Sequence, residues 1–301
     1  MRVVLDQKEI LNRIPFPDPQ LIQNTDVRID PVKIVFPIPN YVYISNRDDI
    51  KVGMWDMENH KWRIGSEFVE NIGIDSNNNL SFGITKYAPY AMLQSRCTDY
   101  PYQEWKLRSI SEDKALLTIK TKRMELVFEI GEDYVKLIEW EESELQHLVD
   151  KPCSPGYLLY QLSRSGIHLL PNDEDHKLAG IQLKTAGAEN NAINEIMASI
   201  RAFSFRSCRQ NISAPPGSIL LKMWENLEYD REYFEDYEWD WTYLRFWENK
   251  CAYTKANDNE WNPEIWDGCQ THICLSVLAK SATSKVTPEA LERLEFIQIR
   301  F

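Results

Sequence analysis

The stretch "ALLTIKTKRMELVFEIGEDYVKLIEW", residues 115–140, decides the fold class. Leu117 and Ile119, then Leu126, Phe128 and Ile130, recur at every second position, with Thr118 and Glu129 among the residues between them. A helix would bring apolar residues round every three or four positions; a period of two belongs to a strand with one buried face and one wet face. The "GED" at 131–133 supplies a turn, so the stretch predicts antiparallel neighbours.

Toward the N-terminus the same texture continues. "VKIVFPI" (32–38), "YVYIS" (41–45), "KWRIG" (61–65), "LSFGIT" (80–85), "YAMLQ" (90–94) and "WKLRSI" (105–110) read as strands. "NRDD" (46–49), "DSNNN" (75–79) and "SEDK" (111–114) read as turns, a rhythm that predicts an antiparallel β-sandwich over 25–142. Within it, "YAPYAMLQSRCTDYPYQEWKLR" (87–108) reads as a strand–turn–strand corner. Tyr90, Met92 and Trp105 are expected to pack the sandwich there, with Pro89 and Pro101 setting the turns. Residues 1–24, with three prolines in "IPFPDPQ", read as an extended leader.

Beyond residue 142 the period changes. Ser154 and Pro155 open a predicted helix that carries Leu158, Leu159 and Leu162 on one face and stops at Gly166. A strand at "AGIQLKT" (179–185) and a helix from about Glu189 to Ser204 follow, and "SAPPGS" (213–218) marks a boundary. Residues 143–217 are thus expected to form a small α+β unit. From 218 to 301 the expectation is an acidic, Trp-rich helical region, making the whole chain mainly β with α+β parts.

The 301 residues carry 46 acids against 34 bases, a net charge of −12. Such a balance repels phosphate backbones and anionic lipid, and no basic run along the sequence overrides it, so nucleic acid is not an expected partner. No stretch approaches the ~18 apolar residues of a membrane span, and the first twenty lack the apolar core of a signal peptide. The chain is therefore expected inside the cell and off the membrane, with its six cysteines reduced. Asn211-Ile212-Ser213 matches a glycosylation sequon by chance under that reading.

Catalytic signatures are not found. The eleven glycines are isolated, which leaves no phosphate-cradling loop, and no Gly-x-Ser-x-Gly elbow, His-Glu-x-x-His or kinase signature occurs. Cys251, Cys269, His272 and Cys274 offer three sulfurs and a nitrogen, a zinc-like set at a spacing that fits core packing better. Asp173, Glu174 and Asp175 beside His176 could act as acid and base, but read as a solvated surface turn. The sequence predicts no catalytic, metal or cofactor-binding residues.

The strongest local oddity is "LLKMWENLEYDREYFEDYEWDWTYLRFWENK" (220–250). Trp224, Leu227, Tyr233-Phe234, Tyr237, Trp241, Leu244 and Trp247 recur at near-helical spacing, so one reading is the buried face of an amphipathic helix. The other is a ridge that meets a partner protein through Trp224, Tyr233, Tyr237, Trp239, Trp241 and Trp247.

Between Ile84 and Ile130 the order of short motifs is distinctive: Ala88-Pro89-Tyr90, Leu93-Gln94, Pro101-Tyr102-Gln103, Trp105 with Leu107-Arg108, then Leu116-Leu117-Thr118. This order resembles the C-terminal region of the axonemal dynein intermediate-chain-like family, and the helix ending "SGIHLLP" before Pro171 resembles the family's next block. The similarity is expected over about residues 27–205. The resemblance implies a non-catalytic accessory subunit of axonemal inner-arm dynein, without cofactor, located in the cytoplasm and the ciliary axoneme. It also implies dynein heavy and intermediate chains as partners, with tubulin as a further one. An alternative from composition alone is a sugar-binding or carbohydrate-active sandwich that uses surface Trp and carboxylates.

Overall fold

The computed structural model describes residues 30–44, 46–96, 98–111, 113–140, 143–200, 203–225, 241–247, 250–257 and 260–265. The chain forms two compact units, whose described residues are 30–39 with 44–95 in the first, and 40–43 with 96–265 in the second. It is mainly β with antiparallel sheets and few helices, as the period-two segments require.

The first unit holds two three-stranded antiparallel sheets. One orders β1 (Val32–Pro37), β5 (Asn79–Ile84) and β4 (Val69–Ile74); the other orders β3 (Lys61–Arg63), β2 (Lys51–Asp56) and β6 (Tyr90–Leu93). Val52, Leu80, Phe82 and Ile84 supply its buried side chains. Two aspartates build the hairpin turns. Asp75 accepts hydrogen bonds from the backbone N–H of Asn77 at 2.9 Å and of Asn79 at 2.8 Å, while Asn78 takes the left-handed conformation that asparagine tolerates. Asp56 does the same for Glu58 and Asn59, and the side-chain hydrogen bond from Asn59 is foremost in holding its carboxyl down at about 2.

The second unit is built on a nine-stranded antiparallel sheet in the order β10-β9-β8-β7-β11-β12-β13-β14-β15. Its strands are β7 (Glu104–Ser109), β8 (Ala115–Lys120), β9 (Glu125–Ile130), β10 (Val135–Glu139), β11 (Phe203–Ser207), β12 (Ser218–Glu225), β13 (Thr242–Trp247), β14 (Lys250–Asn257) and β15 (Glu260–Ile265). Two meanders, β7–β10 and β11–β15, meet where β7 pairs with β11. Three helices lie between them in sequence: α1 (Pro155–Arg164), α2 (Asp173–Ala179) and α3 (Ala186–Ser199). Leu107, Leu117, Phe128, Leu137, Phe205, Leu221, Leu244 and Phe246 form the buried sheet contribution to a core completed by Leu158 and Leu162 of α1 and Ala188, Ala192 and Ile196 of α3. The two alanines stand four apart on one helix stripe, and α3 lies against β12 and β13.

Several sequence expectations need correction. Residues 218–225 and 242–265 are strands rather than helix wherever they are described, because β12 and β13 bury Ile219, Leu221, Met223, Leu244 and Phe246 on one sheet face. Residues 173–179 are a helix, not a loop: Asn172 and Asp175 form a capping box, and Gly180 ends the helix in the left-handed region. The expected strand at 179–185 is irregular backbone apart from the end of α2, the expected helix to Ser204 stops at Ser199, and described residues 41–44 are not strand. The corner at 87–108 joins the two units instead of turning within one sandwich. Half-buried Tyr90 and Met92 belong to the sheet of the first unit and fully buried Trp105 to that of the second.

Two side chains substitute for backbone in this unit. The buried Asn211 amide donates to Leu220 O at 2.7 Å and accepts from Leu220 N–H at 2.8 Å, continuing the sheet past the end of β11. An amide so used is closed to a glycan in the folded chain. Buried Lys184 donates to Ala214 O at 2.8 Å and ties the segment before α3 to the turn before β12. Burial lowers the Lys184 pKa from 10.5 to about 8, against the opposing pull of Glu189. The folded chain therefore binds fewer protons than the unfolded one between about pH 8 and 10.5, so stability rises with pH across that window. A denaturation midpoint that climbs from pH 8 to pH 10 in the native protein, measured relative to Lys184→Met, is the expected result.

Candidate interaction surface

Antiparallel register places paired residues on the same sheet face. Lys106 pairs with Arg206, Arg206 with Lys222, and Lys222 with Tyr243, so four strands contribute one row opposite the buried core. Trp224 pairs with Ser204 in the next row, and Arg245 and Trp247 follow Tyr243 at every second position of β13. Along β13 the outward residues are thus Tyr243, Arg245 and Trp247, with Trp241 just before them, while Leu244 and Phe246 point inward.

The outward side chains are interlocked. The Arg206 guanidinium lies 5.9 Å from the Trp241 ring centre, the Lys222 ammonium 5.3 Å from that of Tyr243, and the Arg245 guanidinium 5.3 Å from that of Trp247. Trp224 meets Trp241 edge to face with centroids 6.1 Å apart. Each such cation–ring pair contributes roughly 0.5–1 kcal/mol at an exposed site and more when desolvated. Glu104 pairs with Arg206 and, at 3.9 Å, with Lys106, and Arg245 also donates to Ser218 Oγ at 3.0 Å.

Lys106, Arg108, Arg206, Lys222 and Arg245 face the same way as Glu104, the one carboxylate among the described side chains of β7, β11, β12 and β13 on this face. A chain of net charge −12 therefore carries a basic, aromatic face. Reading along the sequence misses it because the cations come from four strands far apart in the chain.

Of the sequence-predicted contact residues, Trp224, Trp241 and Trp247 lie half-buried on this face. Tyr233, Tyr237 and Trp239 lie outside the described residues, as do Cys269, His272 and Cys274. The half-buried Cys251 stays a thiol, since burial first and Glu195 second push its pKa well above the usual range. Asp173 and Glu174 are exposed, whereas Asp175 and His176 are buried. Asp175 accepts from Asn172 N–H at 2.7 Å and pairs with Arg96 at 3.1 Å. His176 shares a 2.8 Å hydrogen bond with Tyr100 through Nε2 and a 3.1 Å one with Asn172 O through Nδ1.

These contacts belong to a polar network that sequence reasoning did not find. Asp99 takes Arg123 in a two-point pair and also accepts from Thr121, and Arg123 reaches Gly166 O at 3.3 Å. Arg96 donates to His168 Nε2 at 2.9 Å and to Leu170 O at 3.3 Å, and Tyr102 donates to Leu169 O at 2.8 Å. Burial and then Arg96 lower the pKa of His168, which suits an imidazole that accepts from a guanidinium. The network fastens the 166–172 connection between α1 and α2 to the segments that flank β7 and β8, a positioning role.

No family model matches the chain. Curated relatives do. The chain is 25% identical over 285 residues to dynein axonemal intermediate chain 7 of Danio rerio, a match that covers 90% of this chain and 38% of the relative. With the protein of the same name from Bos taurus it shares 22% over 295 residues, 95% of this chain and 40% of the relative, and with that from Mus musculus 24% over 291 residues, 95% and 38%. The chain spans about two fifths of the length of these relatives. The motifs between Ile84 and Ile130 and the matches that run through nine-tenths of the chain or more, well past residue 205, agree in making this a chain similar to the axonemal dynein intermediate-chain-like family.

Proposed function

We propose that this chain is a non-catalytic accessory subunit of an axonemal inner-arm dynein complex and mediates protein–protein contacts on ciliary doublet microtubules. The observation that carries the reading is similarity through nine-tenths of the chain to proteins named dynein axonemal intermediate chain 7. The basic, aromatic sheet face supports it, because Trp, Tyr and Arg dominate the energetic centres of protein interfaces. Dynein heavy and intermediate chains are the proposed partners, and an acidic surface such as that of tubulin complements the same face. The proposed location is the ciliary axoneme.

Sedimentation of the purified chain with salt-extracted axonemes tests the reading. The native chain is expected to pellet saturably, and Arg206→Glu with Lys222→Glu to bind about tenfold more weakly or worse, since like charges set opposite a complementary surface cost several kcal/mol. A native chain that stays in the supernatant at every axoneme concentration would refute the proposal.

A further inference from the structure

The second unit carries an open cleft of about 400 Å³ between the Tyr100–Gln103 segment and the 3-10 turn Arg209–Ile212. Tyr100, Tyr102 and Trp105 line it. The Tyr102 hydroxyl is engaged by Leu169 O and the Tyr100 hydroxyl by His176, so the two phenols are fixed, and the partly exposed Tyr102 offers ring surface to a ligand. Lys122, which follows β8, and Arg209, which follows β11, also line the cleft, and both are exposed. No carboxylate among the described residues forms an ion pair with either, although acids outnumber bases in the chain. Ile212, 51% exposed, adds an apolar edge.

This combination selects a class of ligand. Two cations without an ion-pair partner among the described residues, beside a low-dielectric aromatic wall, concentrate anions locally in a chain whose net charge repels them elsewhere. The volume is at the small end of the ~300–1,000 Å³ of ligand sites, and the open outer side cannot enclose a cofactor as such sites do. None of the lining residues is glycine, so no backbone cradle for a phosphate is built here. An apolar wall with an arginine and a lysine at its edge matches instead the anchor-and-rim composition of a peptide site.

We infer that this cleft binds an acidic segment of a partner polypeptide, with an aromatic or apolar side chain against Tyr102 and Ile212 and flanking carboxylates on Lys122 and Arg209. The site is separate from the basic sheet face, and the inference holds whether or not the axonemal reading does.

Fluorescence anisotropy of dye-labelled Asp-Glu-Trp-Glu-Asp with the full chain tests it. The native protein is expected to bind saturably. Lys122→Glu with Arg209→Glu is expected to weaken binding about tenfold or more, and Ile212→Asp to weaken it as well. Lys177→Glu, which reverses an exposed cation on α2, should leave binding unchanged. Circular dichroism establishes that each variant is folded, since all four positions are exposed. The inference is overturned by no binding by the native chain, unchanged binding by the Lys122/Arg209 double variant, equal binding of Lys-Lys-Trp-Lys-Lys, or displacement of the peptide by inorganic phosphate at matched ionic strength. Loss of peptide binding in Arg206→Glu with Lys222→Glu, but not in the cleft variants, would also overturn it by moving the site to the sheet face.

Discussion

Asp99→Ala is expected to destabilise the second unit by about 3–5 kcal/mol, the largest loss from any single polar change. Asp99 is 1% exposed, and its two-point pair with Arg123 places one buried charge against another. Removing the carboxylate takes away the charge that the guanidinium, whose side chain is 9% exposed, meets at two points beside Gly166 O and the face of the Tyr43 ring. The same pair replaced as Asp99→Leu with Arg123→Met removes both charges at once, so the double variant should recover most of the loss. A urea titration of native, single and double variants reads this coupling directly. Equal destabilisation by the single and double variants would mean that the pair acts through shape rather than charge.

Phe205→Ala is expected to cost about 3–5 kcal/mol, with Phe205→Leu costing clearly less. Phe205 is fully buried on β11, the strand that joins the two meanders of the nine-stranded sheet. Only Phe205 with Leu107 and Arg206 with Lys106 pair in register across that joint, and on the other side Phe205 lies opposite Met223. A cavity there sits at the seam and one residue from Arg206, so the variant should loosen the basic face together with the core. Hydrogen exchange in β7 and β12 should quicken more than in β9. Uniform quickening would show that the sheet opens as one piece and not at the seam.

What could be read in advance follows from how each element hides its apolar residues. Strands β8 and β9 bury one face against the core and leave the other wet, so alternation survives in 115–130 and the antiparallel sheet is legible. β13 buries Leu244 and Phe246 yet also carries Trp241, Tyr243 and Trp247 on its other side, so the alternation is masked and a helix-like spacing of aromatics appears by accident. β2 went unread because Gly53 interrupts its apolar run. A Cβ there would stand 2.6 Å from Leu93 Cδ1 of the neighbouring strand, so a larger residue would require that leucine side chain to shift. The short helix α2 reads as a turn because acids fill its first turn, although Asn172 three residues before Asp175 is a capping arrangement that signals a helix start.

The site was less legible than the fold. The aromatic half of the candidate surface is visible in composition as Trp224, Trp241 and Trp247, but its cationic half is not. Lys106, Arg206, Lys222 and Arg245 become neighbours only through strand register, which a charge count along the chain cannot show. The Asp99–Arg123 pair spans 24 positions and the Tyr100–His176 hydrogen bond 76, and neither leaves a local pattern. The family resemblance implies a role and partners but no contact residues, and it rests on motif order between Ile84 and Ile130.

Affinity purification of the tagged chain from ciliated cells at moderate salt, with the co-purifying proteins identified and quantified, tests the central claim most directly. The account predicts axonemal dynein heavy and intermediate chains in stoichiometric amounts, lost when Arg206 and Lys222 are both changed to glutamate. Recovery of the chain alone, or with soluble proteins and no dynein subunit, would contradict it.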